Sequence, residues 1–202
     1  QYGSARLDLI NDLQKTENIM KLRNNLGLDG DKIVVSVGYN AKQEQQHLLF
    51  FREVSKLDEL IKNKLHFLVL LTYGEEENPG YSEKIIEKLK GLNVGYTAIS
   101  NWISDTEIAR LRLVSDITVN IQTTDALSSS VKEALAAGDV VLVGDWLPYD
   151  IYEEMGAFFF KSPMNSIITK FSEIIENLSE YKKKCIVNKS IILEFSSWNS
   201  VI

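Results

Sequence analysis

The sequence predicts an α/β fold: a doubly wound parallel sheet, Rossmann-like, of about six strands with helices on both faces. Two observations predict it. Short, uniformly apolar runs recur along the chain, and stretches with apolar residues at spacings of three and four separate them in strict turn. Strands apolar on both sides suit a parallel sheet covered on each face. Strand and helix in alternation imply right-handed crossovers and a doubly wound sheet. A third observation bounds the size: 202 residues, 45% hydrophobic and 25% charged, with eleven Gly and three Pro, describe an ordinary globular chain. No repeat, low-complexity tract or Pro/Gly/Ser linker divides it, so residues 1–202 are read as one domain.

The elements follow in order. Leu7, Ile10, Leu13, Ile19, Leu22 and Leu26 predict a helix from Ala5 to Leu26, ended by Gly27 and Gly30. Lys32 to Gly38 is a buried strand closed by a glycine; a helix from Gln43 to Asn63 and a strand from Leu65 to Tyr73 come next. Then alternate a helix Ser82 to Leu89, a strand Asn93 to Ile99, a helix Asp105 to Leu113 and a strand Asp116 to Ile121. A helix Ser129 to Ala137, a strand Asp139 to Val143, a short strand Ala157 to Phe160 and a helix Asn165 to Tyr181 follow. Residues 183–202 read as a helical tail.

Composition excludes several functions. Twenty-two Lys+Arg against 28 Asp+Glu gives a net charge of −6, so no bulk attraction draws the chain to nucleic acid. One cysteine, Cys185, and two histidines, His47 and His66, form no ligand-spaced metal cluster. His66 in an apolar strand reads as structural, and His47 as a residue that caps or packs. No apolar run approaches the ~20 residues that span a bilayer. The first twenty residues lack a signal-peptide pattern, and a reducing, cytoplasmic location is expected.

In doubly wound sheets ligands bind beyond the carboxyl ends of the strands, which directs attention to the loops after Val37, Tyr73, Ile99, Ile121 and Val143, two of which carry residues able to do chemistry. The first, Gly38-Tyr39-Asn40-Ala41-Lys42, is neither a dinucleotide fingerprint nor a P-loop. It supplies a flexible glycine, an amide and a cation; a plain turn followed by a solvated lysine fits equally. The second runs from Gln122 through Asp125, Leu127 and Ser128-Ser129-Ser130 to Glu133. Serines opening a helix converge hydroxyls and unpaired N–H groups at its positive end, a setting for a phosphate or an ordinary cap. Asp125 and Glu133 could meet sugar hydroxyls or merely complement the helix dipole.

The stretch from Asp125 to Gly138, followed by Val140-Val-Leu-Val143, resembles the nucleotide-sugar half of GT-B glycosyltransferases, particularly the retaining family 4 (group 1). Two acids, Asp125 and Glu133, are separated by seven intervening residues, and Glu133-Ala-Leu-Ala-Ala-Gly138 matches that family's helix. Lys32 to Lys42 is similar to its first strand and phosphate loop, Trp102 to Asp116 to a later helix, and Phe195-Ser-Ser-Trp198 to its closing motif. Asp125 stands where the family usually has Glu, and the first loop lacks the usual arginine.

The resemblance implies a C-terminal lobe that helps transfer a sugar from a nucleotide-diphosphate donor to an acceptor hydroxyl, without metal or cofactor. It implies that Lys42 and the Ser128, Ser129 and Ser130 amides hold phosphates, Glu133 the ribose and Asp125 the sugar. Gly38, Tyr39, Asn40 and Leu127 would shape the donor site, with Trp102 and Ile103 at the base. An acceptor-binding N-terminal lobe would lie outside this chain, leaving the fragment inactive alone. Bacterial polysaccharide or glycoconjugate synthesis is the expected setting, with peripheral membrane association of the full-length enzyme left open. A nucleotide-sugar epimerase, a phosphorylase and a non-catalytic α/β ligand-binding domain are the alternatives.

Overall fold

The computed structural model describes residues 2–28 and 30–198. Six strands form one parallel sheet in the order β3-β2-β1-β4-β5-β6: β1 (Ile33–Val37), β2 (Leu65–Leu70), β3 (Gly95–Ile99), β4 (Ile117–Asn120), β5 (Val140–Gly144) and β6 (Phe160–Ser162). The sequence steps outward from β1 to β3, then returns to pair β4 with β1 on its other side (Val35 with Ile117, Val37 with Val119). Chain direction across the sheet therefore reverses between β1 and β4, and a crevice opens above their carboxyl ends.

Alternate residues of each strand feed opposite faces. Val35, Val37, Phe67 and Val69 meet α3 (His47–Val54), α5 (Tyr81–Gly91) and α9 (Ile167–Glu176), where Phe50, Phe51 and Phe171 interlock. Phe50 and Phe171 lie edge to face with centroids 5.3 Å apart, a favoured aromatic geometry. Val34, Leu68 and Leu70 face the other way, onto α2 (Ile19–Asn25) and α6 (Asp105–Val114). On that same face, Val141 and Val143 pack against α7 (Ser129–Ala137) and α11 (Asn188–Trp198). The first helix, α1 (Tyr2–Thr16), lies across α6 and α7.

All six strands stand where the periodicity puts them, the last shifted three residues later. Three predicted helices are interrupted, each at a residue that prefers to cap. Asn18 accepts from Lys21 N–H at 3.0 Å and starts α2 anew. Asp58 accepts from Leu60 N–H at 2.7 Å and opens α4 (Glu59–Lys62). Asn177 separates α9 from α10 (Leu178–Lys184). A short helix unforeseen from the sequence, α8 (Asp150–Glu154), follows β5. Residues 199–202 of the expected tail lie outside the described residues, as do the Ser197 and Trp198 side chains of the closing motif.

Candidate functional site

A cavity of about 600 Å³ opens at the carboxyl edge of the sheet. Loops after β1, β2, β3 and β4 wall it, bringing together Tyr39, Thr72 and Tyr73, Trp102 and Ile103, and Ser128 to Ser130. Of the residues expected from sequence, six therefore share one volume: Tyr39, Trp102, Ile103, Ser128, Ser129 and Ser130. Trp102 stands on its rim, 82% exposed. A large aromatic left in water contributes nothing to the core, which makes it conspicuous.

The loop after β4 is held by a buried phenol. Tyr149 donates to Asp125, and Asn120 Nδ2 lies 3.2 Å from both the Asp125 carboxylate and the Tyr149 oxygen. Ser128 Oγ stands 3.2 Å from the same phenol. Burial, followed by the bond to Asp125, pushes the Tyr149 pKa upward, so the phenol stays protonated and donates. Asp125 Oδ1 accepts from Ala126 N–H at 2.7 Å, so both carboxylate oxygens are engaged within the turn. Leu127 adopts φ +59°, a left-handed conformation uncommon outside glycine. The chain thus enters α7 with Ser128 at the N-cap, and that side chain makes no capping bond. The N–H groups of the first turn have no carbonyl partner within the helix.

The loop after β1 depends on Gly38. Its φ is +64°, and an added Cβ would lie 2.4 Å from Nε2 of His47. His47 is fully buried, and burial lowers its pKa to about 4, so the ring is neutral at ordinary pH. It packs, as the sequence suggested. Tyr39 donates its N–H to Gln45 and its hydroxyl to Gln122, at 3.2 and 3.0 Å. Asn40 is buried, and its Oδ1 accepts from Lys42 N–H at 2.9 Å, an Asx turn that shapes the loop. His66 bonds Thr97 Oγ1 at 2.9 Å within the sheet, the structural role expected of it.

Six expected site residues do not line the cavity, and two of them are charged groups engaged elsewhere. Lys42 turns outward to pair with Glu77. Glu133 is fully buried, with Arg112 Nε at 3.3 Å from one oxygen and Arg6 Nη1 at 3.2 Å from the other. A bare carboxylate cannot stand in a low-dielectric interior, so the helix turns it toward these cations instead of toward solvent. Gly38, Asn40, Asp125 and Leu127 stand in the flanking loops, outside the cavity wall.

Both arginines line the cavity, and sequence reasoning named neither. Arg112 carried a signal: it interrupts Leu111, Leu113 and Val114 on a helix, and it is 2% exposed. A cation among apolar residues calls for a buried carboxylate. Arg6 carried none, because it comes from the first helix. No group of three or more His, Cys, Asp or Glu able to hold a metal occurs among the described residues.

No family model matches the sequence, and no curated protein matches it. Solved structures do. Sucrose-phosphate synthase from Thermosynechococcus elongatus superimposes with TM-score 0.73 at 13% identity, over 90% of this chain and 45% of that one. A UDP-forming α,α-trehalose-phosphate synthase from Burkholderia xenovorans gives 0.72 at 11%, over 95% and 46%. The C-terminal domain of a group 1 family glycosyl transferase from Francisella tularensis gives 0.66 at 15%, over 88% and 92%. The fold is that of a GT-B glycosyltransferase C-terminal lobe. The chain spans about half the length of the two synthases and nearly all of the isolated domain.

Proposed function

We propose that the cavity binds the nucleotide-sugar donor of a glycosyl transfer to an acceptor hydroxyl. The observation that carries this reading is convergence: Tyr39, Trp102, Ile103 and the Ser128 to Ser130 turn, drawn from separate loops, meet at the reversal between β1 and β4. The exposed Trp102 face would stack on the base, with Ile103 behind it. Ser129 and Ser130 amides at the start of α7 would face the diphosphate. Charge grows on that group as it departs, and dipoles fixed in advance stabilise it without reorganisation. Asp125, half-buried and bonded to Tyr149 and Ala126 N–H, would hold the serine turn in place beside the donor.

No metal or cofactor enters this scheme. Acceptor binding would fall to an N-terminal lobe outside these residues, so the chain alone would bind donor and transfer little. We place the reaction in bacterial polysaccharide or glycoconjugate synthesis on the cytoplasmic side, with the full-length enzyme peripheral to the membrane. No helix among the described residues is long and apolar enough to cross one.

Thermal unfolding in the presence of UDP, GDP, dTDP and NAD tests the reading. One nucleoside diphosphate should raise the midpoint while NAD leaves it unchanged; at 100 times its dissociation constant a ligand adds about 2.7 kcal/mol. A null response to all three diphosphates would overturn it.

A further inference from the structure

The cations in the cavity wall are not the one that the loop after β1 offered. Lys42 is engaged by Glu77 and stands outside the wall, whereas Arg6 and Arg112 are part of it. Their arrangement is built. Glu133, fully buried between them, holds Arg112 through Nε and Arg6 through Nη1 at 3.3 and 3.2 Å. Arg112 Nη2 donates to Ser130 Oγ at 2.8 Å, tying the guanidinium to the α7 entrance. Asp105, at 3.5 Å from Arg6 Nε, steadies the outer guanidinium from the rim.

One inner carboxylate therefore orients two planar donors beside an open volume. A guanidinium fork held in place beforehand suits the oxygens of a phosphate better than a free lysine does. We infer that Arg6 and Arg112, anchored by Glu133, are the residues that bind the diphosphate, and that Glu133 is a positioning residue which does not contact the ribose. The inference rests on the nucleotide-sugar reading for the identity of the anion. It makes α1 part of the site, since Arg6 reaches the cavity from that helix.

Inorganic pyrophosphate tests the cation assignment without invoking any base. Calorimetric titration of the whole chain should show pyrophosphate binding that weakens roughly tenfold or more in Arg6→Gln, the scale of a lost charge-assisted bond. Lys42→Met should bind within about twofold of the unaltered chain, because a cation already paired outside the cavity adds little. Should Arg6→Gln unfold, Arg6→Lys keeps a cation beside Glu133 while losing the planar fork, and it should fold and bind pyrophosphate several-fold more weakly than the unaltered chain. Unchanged binding in a folded Arg6 variant, a large loss in Lys42→Met, or no pyrophosphate binding by the unaltered chain would each overturn the inference.

Nucleoside diphosphates separate the two readings. If pyrophosphate binds through Arg6 but UDP, GDP and dTDP bind no tighter than it does, the arginine assignment stands and the nucleotide reading fails. If one of them binds tightly and Arg6→Gln leaves that affinity unchanged, the nucleotide reading stands and the arginine assignment fails.

Discussion

Arg112 and Glu133 face each other across 3.3 Å inside the protein, the arginine side chain 2% exposed and the glutamate not at all. Such a pair stabilises little against an apolar replacement, but removing one member leaves an uncompensated charge. Glu133→Ala should therefore lower unfolding stability by about 3–5 kcal/mol, measured by urea denaturation. A loss below 1 kcal/mol (roughly that of an exposed pair) would mean that the carboxylate is not held as described.

Gly38→Ala should disrupt the loop after β1 on two counts. A Cβ at φ +64° is strained, and it would stand 2.4 Å from the His47 ring. Left-handed strain of about 1–2 kcal/mol and overpacking of about 1–3 kcal/mol act together. The chain should lose about 2–5 kcal/mol in urea denaturation, and Tyr39 should leave the cavity wall in a structure of the variant.

Trp102→Ala should behave oppositely. The residue is 82% exposed and outside every core cluster, so stability should stay within about 0.5 kcal/mol. Affinity for the preferred nucleoside diphosphate should fall by about 0.5–1.5 kcal/mol, the value of an aromatic stacking contact. Calorimetry against pyrophosphate, which has no base, should show no comparable loss.

Asp139 makes stability pH-dependent in an unusual direction. It is fully buried at the start of β5, bonded by Thr118 Oγ1 at 2.6 Å. Burial raises its pKa from 3.8 to about 7, while Lys182 and Arg112 pull it down and Asp116 pushes it up. Between those limits the folded chain holds a proton that the unfolded chain has lost, so this group's contribution falls as pH rises. His47 works the other way: its pKa falls from 6.5 to about 4, and its contribution grows as pH rises through that window. Asp139→Asn isolates the first effect. Relative to the unaltered chain, the variant should gain stability from about pH 4 to about pH 7 and then level off, because above that the carboxyl is ionised in both states. A difference independent of pH would show that Asp139 is ionised in the fold.

Much of the fold was legible because its cause is local. Apolar runs such as Leu65 to Leu70 are strands through and through, and Ser129 to Ala137 is a helix with Gly138 in the left-handed position that ends it. The breaks at Asn18, Asp58 and Asn177 were legible in principle, since each is a capping residue within an otherwise helical pattern. Helix α8 was hidden by its length, for five residues hold too little periodicity to read. The site divided in the same way. The serine turn could be placed because strand ends announce where loops converge, and Trp102 through the family resemblance, whereas the partners of Glu133 and Lys42 could not.

Sequence alone determined the alternation of strands and helices, the doubly wound parallel sheet they imply and the loops that could border its crevice, because backbone periodicity and apolar patterning act between near neighbours; the reversal between β1 and β4 came from the folded sheet. Tertiary structure decided which charges face that crevice. Arg6 and Glu133 come from the first helix and the seventh, and they meet only because α1 packs on α7. A buried carboxylate takes whichever cation the packing brings to it, and that choice is made across the folded chain.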